Sequence, residues 1–392
     1  MKRAMLAILL GLIASATFAE DDVEFYTSQF DNALTAVHRL SVLRIARDAE
    51  LQDAGGFYAH ALSRTLLSYP NLRSNREVDA ADEAIRLITD ELTEDQTDTG
   101  QNLWRVVEVF ANPLVRADAV MALGKVGATD LLPQVVQLLK DTNENLYFRN
   151  PIAGERLAYG AIDALAKYKD ASGYIPVFLA ANGWYSERVK NKAAESLKEI
   201  LEDPTDPLTE MVHGAGYTYA EKLLALTAIE QNEDVDEGAK ASVALAALYE
   251  AWRGKGASND ARMRKELIRM RKLSIDMISR YGTEDESVYP LLERSFRYGV
   301  DVEEKLGAVA ALKKLGTEDA AKLLSSFIDF INNKLERGIV TDTDERFMRA
   351  LIPALGSTGN AAGRPVLRQV VALEWSYGVQ QLAQEALENI GE

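Results

Sequence analysis

Alanine and leucine recur at three- and four-residue steps along almost the whole chain, and few segments alternate apolar with polar residues as half-buried strands do. Val115, Ala119, Ala122, Leu123 and Val126 fall on one helical face. Gly124 and Gly127 stand near the end of that helix, where a left-handed glycine stops it. Pro133 opens the next helix, LLPQVVQLLKD (131–141), in a first turn where its missing N–H costs little. The pattern predicts an all-α protein built from short antiparallel helix pairs.

The pairs repeat. An Ala-Leu step (once Ser-Leu) late in the second helix of a pair occurs at 122–123, 164–165 and 196–197, and again at 311–312, 354–355 and 386–387. The unequal spacings within the two triplets nearly match, which predicts a block of about 190 residues duplicated as a unit. Pro176-Val177 and Pro365-Val366, Thr93-Glu94-Asp95 and Thr283-Glu284-Asp285, and Trp184 and Trp375 keep nearly the same offset. The stretch 202–218, with Pro204, Pro207, Gly214 and Gly216, is the expected seam, giving blocks 20–212 and 213–392. Insertions at 141–155, 254–260 and 336–345 are expected to collect on one edge.

NPLVRADAVMALGKVGATDLLPQVVQLLKD (112–141) resembles a HEAT repeat of the bacterial type related to phycobilisome-lyase HEAT-like repeats. KLGAVAALKKLGTEDAAKLL (305–324) and FMRALIPALGSTGNAAGRPVLRQVV (347–371) resemble it too, and VKNKAAESLKEI (189–200) and VQQLAQEALENIG (379–391) match its second helix. The similarity covers about 100–200 and 288–392. It implies an α-solenoid of stacked helix pairs whose second helices form a partner-binding face, and it says almost nothing about a reaction. On that implied face the helix starts carry Arg116, Arg156, Arg188, Lys190 and Lys305, which are expected either to meet a partner or to form salt bridges with acids of neighbouring repeats.

The first nineteen residues read differently. Met1-Lys2-Arg3 is a basic start, and AMLAILLGLIA (4–14) has the length of a signal-peptide core rather than of a bilayer span. Small residues offer cleavage after Ala16 or Ala19. Export to the periplasm or cell exterior is expected, without a lipid-anchoring cysteine, since the chain has none. No later segment approaches a membrane span.

The 392 residues are 47% hydrophobic, enough for a core, and carry 60 acidic against 44 basic side chains, net −16. That balance argues against a nucleic-acid binder, which needs cations to replace phosphate counterions. Against it, eight basic residues and two acids lie between Arg253 and Lys272. Arg262, Lys265, Arg269 and Lys272 share a helical face there, while Met263, Leu267, Met270 and Met277 line another. The four cations are a candidate docking patch for a protein, an anionic envelope polymer or a membrane surface, or else a solvated face answering acidic neighbours. Tyr147, Phe148 and Arg149, in the insertion NENLYFRNP (143–151), are a second candidate, since exposed aromatic-plus-Arg tips suit protein contacts.

Catalytic chemistry is harder to find. His38, His60 and His213 form no metal-ligand spacing, and 141–152 lacks the glycine and glutamate of a calcium loop. There is no nucleophile elbow and no phosphate-cradling loop. No metal or cofactor is expected. The function expected is a non-enzymatic exported scaffold that engages a protein or extended polymer. The alternative is an all-α carbohydrate-active or lyase-type enzyme using paired carboxylates.

Overall fold

A computed structural model describes residues 22–51, 53–144, 150–254 and 260–390. Among them all regular elements are helices. They fall into two compact units that divide between Glu202 and Asp203, ahead of the 212/213 boundary expected from the sequence.

The first unit runs through α1 (22–32), α2 (Ala36–Asp48), α3 (Gly55–Ser68), α4 (Asn75–Glu91), α5 (Gly100–Val109), α6 (Pro113–Lys125), α7 (Leu132–Asn143), α8 (Pro151–Tyr168), α9 (Tyr174–Ala181) and α10 (Glu187–Ile200). The second runs through α11 (Thr205–His213), α12 (Tyr219–Gln231), α13 (Glu237–Gly254), α14 (Ala261–Tyr281), α15 (Val288–Tyr298), α16 (Val302–Leu315), α17 (Glu318–Glu336), α18 (Asp342–Ser357), α19 (Arg364–Ala372) and α20 (Tyr377–Asn389). Helix boundaries follow side-chain caps. Ser74, Asp301 and Thr317 accept the N–H two or three positions into their helices, and Thr218–Glu221 and Thr341–Asp344 close reciprocal capping boxes.

Within each unit the even-numbered helices pack successively: α2 on α4, α4 on α6, α6 on α8 and α8 on α10, then α12 on α14 and onward to α20. Odd helices pack beside them and touch one another more sparingly. All six Ala-Leu or Ser-Leu steps lie on even helices, and their first residues are buried. Small residues let the even row close tightly. A Cβ added at Gly124 would stand 2.5 Å from the Cα of Ala164, and one at Gly160 would stand 2.6 Å from the carbonyl oxygen of Ala117. Gly124 therefore makes helix contact rather than ending the helix. Gly127, at φ +69°, does the stopping.

Side-chain links recur about 190 residues apart. The Tyr185 hydroxyl donates to Asn143 Oδ1 at 2.9 Å, and Trp375 Nε1 donates to Asn332 Oδ1 at 2.9 Å. Glu155 accepts the Ser186 hydroxyl at 3.0 Å, and Glu345 accepts that of Ser376 at 2.8 Å. Gly173 packs on Leu165 as Gly363 packs on Leu355.

Candidate functional site

The basic face of α14 is divided by its neighbours. Arg262 Nε pairs with Glu266 of its own helix at 3.2 Å, and Lys272 Nζ reaches Asp301 at 2.6 Å and Glu303 at 3.0 Å. The same bonds hold the Asp301 carboxyl below its ordinary pKa and the Lys272 ammonium above its own. Lys265 and Arg269 stay exposed. On the other face of α14, Leu267, Met270 and Met277 are buried and Met263 partly so. Tyr147, Phe148 and Arg149 lie outside the described residues.

Arg271, one of the eight basic residues between Arg253 and Lys272 but not of the four assigned to the cationic face, is 1% exposed. Its Nε donates to Glu304 Oε1 at 2.6 Å and its Nη2 to Oε2 at 3.3 Å. The guanidinium lies 4.4 Å from the ring centre of Trp252, whose indole N–H donates to Ser295 Oγ at 3.0 Å. Charge count could not separate it from Arg269. Its place on the Leu267–Met270 side of the helix was the usable signal.

Four of the five helix-start cations find partners other than the expected inter-repeat acids, and Arg156 lines a cleft of the first unit. Arg116 donates to the Val107 carbonyl at 2.7 Å, Arg188 lies 4.9 Å over Tyr159, and Lys190 pairs within its helix with Glu187 at 3.5 Å. Lys305 lies 5.9 Å from the ring centre of Phe347. His38, His60 and His213 lie on α2, α3 and α11. His60 bonds Asp31 at 2.9 Å, and no cluster of three metal-ligating side chains occurs among the described residues. None of the described helices is long and apolar enough to cross a membrane.

Two half-open clefts stand out among the described residues. In the first unit α6, α8 and α10 enclose about 400 Å³ lined by Asp118, Glu155, Arg156, Tyr159 and Arg188. Both acids there are engaged, Asp118 by Arg86 Nε at 2.6 Å and Glu155 by the Ser186 N–H and hydroxyl.

In the second unit the end of α15, the starts of α16 and α18, and α17 enclose about 460 Å³. Phe296, Phe330 and Phe347 form its walls. Phe296 stacks on Phe327 with centroids 4.1 Å apart and meets Phe347 edge-on at 5.5 Å. Three cations stand over these rings: Arg297 5.9 Å and Lys334 5.6 Å from the centre of Phe330, and Lys305 over Phe347. The acid lining the cleft is Asp344. It accepts from Lys334 Nζ at 2.6 Å and from the Thr341 hydroxyl at 2.7 Å. Burial pushes the Asp344 carboxyl up, but Lys334 and Thr341 outweigh it and hold the group below the usual carboxylate range. Arg297 pairs with Glu293 at 2.8 Å, whereas Lys305 has no carboxylate at ion-pair distance among the described residues.

Sequence reasoning reached this region as the insertion 336–345 and as the cation Lys305. It missed Phe296, Phe330, Phe347 and Lys334, because a phenylalanine at helical spacing reads as core until its neighbours are placed.

No known family matches the chain, and no curated protein does. Among solved structures it is similar to the crystal structure of an engineered protein, at 17% identity over 95% of this chain and 99% of that one, with a TM-score of 0.35. A likeness of that size carries no argument about fold or function.

Proposed function

We propose that this chain is an exported, non-enzymatic binding scaffold. It is an α-solenoid of HEAT-like helix pairs in two tandem copies of about 190 residues, and it engages a protein partner through exposed helix faces and clefts. The observation that carries the reading is the return of the α1–α10 order as α11–α20, with the Asn–aromatic, Glu–Ser and Gly–Leu links at the same register. Repetition of this kind stacks helix pairs that cannot bury their apolar sides alone and leaves long surfaces free for a partner. The cleft acids favour binding over acid–base chemistry, since Asp118, Glu155 and Asp344 are each tied to a neighbouring side chain. Exposed Lys265 and Arg269 supply a second cationic surface beside α14's paired charges.

The test is an affinity pull-down of tagged chain beginning at Glu20, after mild cross-linking in its own cell envelope, read by mass spectrometry. One or two stoichiometric proteins are expected. Turnover of envelope glycans by the purified chain, with no protein retained, would overturn the proposal. A charge-reversed variant at Arg262, Lys265, Arg269 and Lys272 run in parallel reports whether the α14 face takes part.

A further inference from the structure

We propose that the phenylalanine-walled cleft of the second unit binds an extended segment of a partner protein in which an acidic side chain adjoins a bulky apolar one. This inference rests on the binding reading above and names the chemistry of its occupant.

The charge argument comes first. The chain carries net −16, yet this cleft is lined by Arg297, Lys305 and Lys334 against the single acid Asp344. A cleft with apolar walls focuses the field of the charges that line it. Arg297 and Lys334 already hold one carboxylate each, from Glu293 and Asp344. Lys305 faces Phe347 with no carboxylate at ion-pair distance among the described residues, so an incoming carboxylate completes its pairing.

The walls specify the rest. Phe330 is 49% exposed at the cleft mouth, and Tyr298 is 63% exposed beside it. Two residues along the chain from the lining positions Tyr298 and Thr341, Val300 and Ile339 are 59% and 58% exposed. A small anion would fill the cavity and leave that apolar rim in water, whereas an extended peptide covers both. The cations would orient the segment, and the apolar contacts would supply most of its affinity.

The experiment uses the full chain and three bead-bound pools of randomised decapeptides. One pool contains Asp, Glu, Leu, Phe and Gly; the second replaces the acids with Asn and Gln; the third replaces Leu and Phe with Ser. The first pool is expected to retain the chain at least tenfold better than either other. Lys305→Glu is expected to lower that retention at least tenfold, and Phe330→Ala severalfold, with helical circular dichroism unchanged. Thr343→Trp, placing uncharged bulk at the mouth, gives an independent block if Phe330→Ala unfolds. Equal retention of the first and third pools would overturn the proposal, as would retention indifferent to Lys305→Glu. Binding to phosphatidylglycerol vesicles with no peptide pool retained would also overturn it. If the pull-down retains its protein while the pools fail, the scaffold stands and this occupant falls.

Discussion

The join between α4 and α6 and the join between α14 and α16 occupy the same register in the two units, and they are closed by opposite charges. In the first unit Asp82 Oδ2 accepts the amide of Asn112, the N-cap of α6, at 2.9 Å, while Oδ1 is buried without a partner. In the second unit Lys272 takes the Asp82 register and binds Asp301, the N-cap of α16. Arg271 beside it, at the register of Ala81, reaches Glu304 inside the helix interface. The helix-capping residue grips the preceding even helix in both cases. The lesson is that cap positions hold the register of packing while the sign of the charge there is free to change.

The largest effect that would sharpen this comparison lies at Arg271. Arg271→Ala leaves Glu304 buried beside Trp252's pocket with its strongest partner gone, and is expected to cost about 3–5 kcal/mol. Glu304 would retain the Val300 N–H at 3.0 Å. Arg271→Met with Glu304→Leu removes both charges and is expected to recover most of that loss. Urea unfolding followed by tryptophan fluorescence decides it. A single variant no worse than the double one would mean the ion pair does not close this interface.

Asp82 offers a smaller effect with a pH signature. Burial raises its carboxyl above the usual range, Asn112 opposes this, and Asp79 adds to it. A pKa higher in the folded than in the unfolded chain means that folding favours the protonated group. Its stabilising contribution is complete below the unfolded pKa and is lost as pH rises through the folded one. Asp82→Asn is therefore expected to stabilise the chain at neutral pH by on the order of 1 kcal/mol. The gain should shrink as the medium is acidified. A melting-temperature gain independent of pH would break the assignment.

The smallest effects belong to the exposed pairs. Arg262→Gln and Lys272→Gln are each expected to change stability by less than about 1 kcal/mol, and less still in high salt. A larger loss at Lys272 would place that side chain with Arg271 as part of the interface rather than of the surface.

Helix class, the glycine stop at Gly127 and the Pro133 start were legible because each follows from local backbone chemistry. Gly124 was misread for the opposite reason, since its role depends on Ala164, 40 residues away. The cations failed similarly. Arg262 and Lys272 meet acids nearby, but Arg188 and Lys305 settle over rings and Arg116 on a carbonyl, partners that a count of charges does not contain. The second-unit cleft needed four helices brought together before Phe330 could be told from Phe327, which is fully buried one helical turn earlier.

The glycine-to-alanine crossings have a mechanical meaning. With Gly124 against Ala164 and Gly160 against Ala117, backbone meets backbone where α6 crosses α8, leaving no side chain between them whose rotation could lengthen that join. The odd helices, joined more sparingly, can spread. Under load the first unit should behave like a strip with an inextensible seam where α6 crosses α8. It would bend by fanning its odd helices about the even ones and resist stretching along the seam itself.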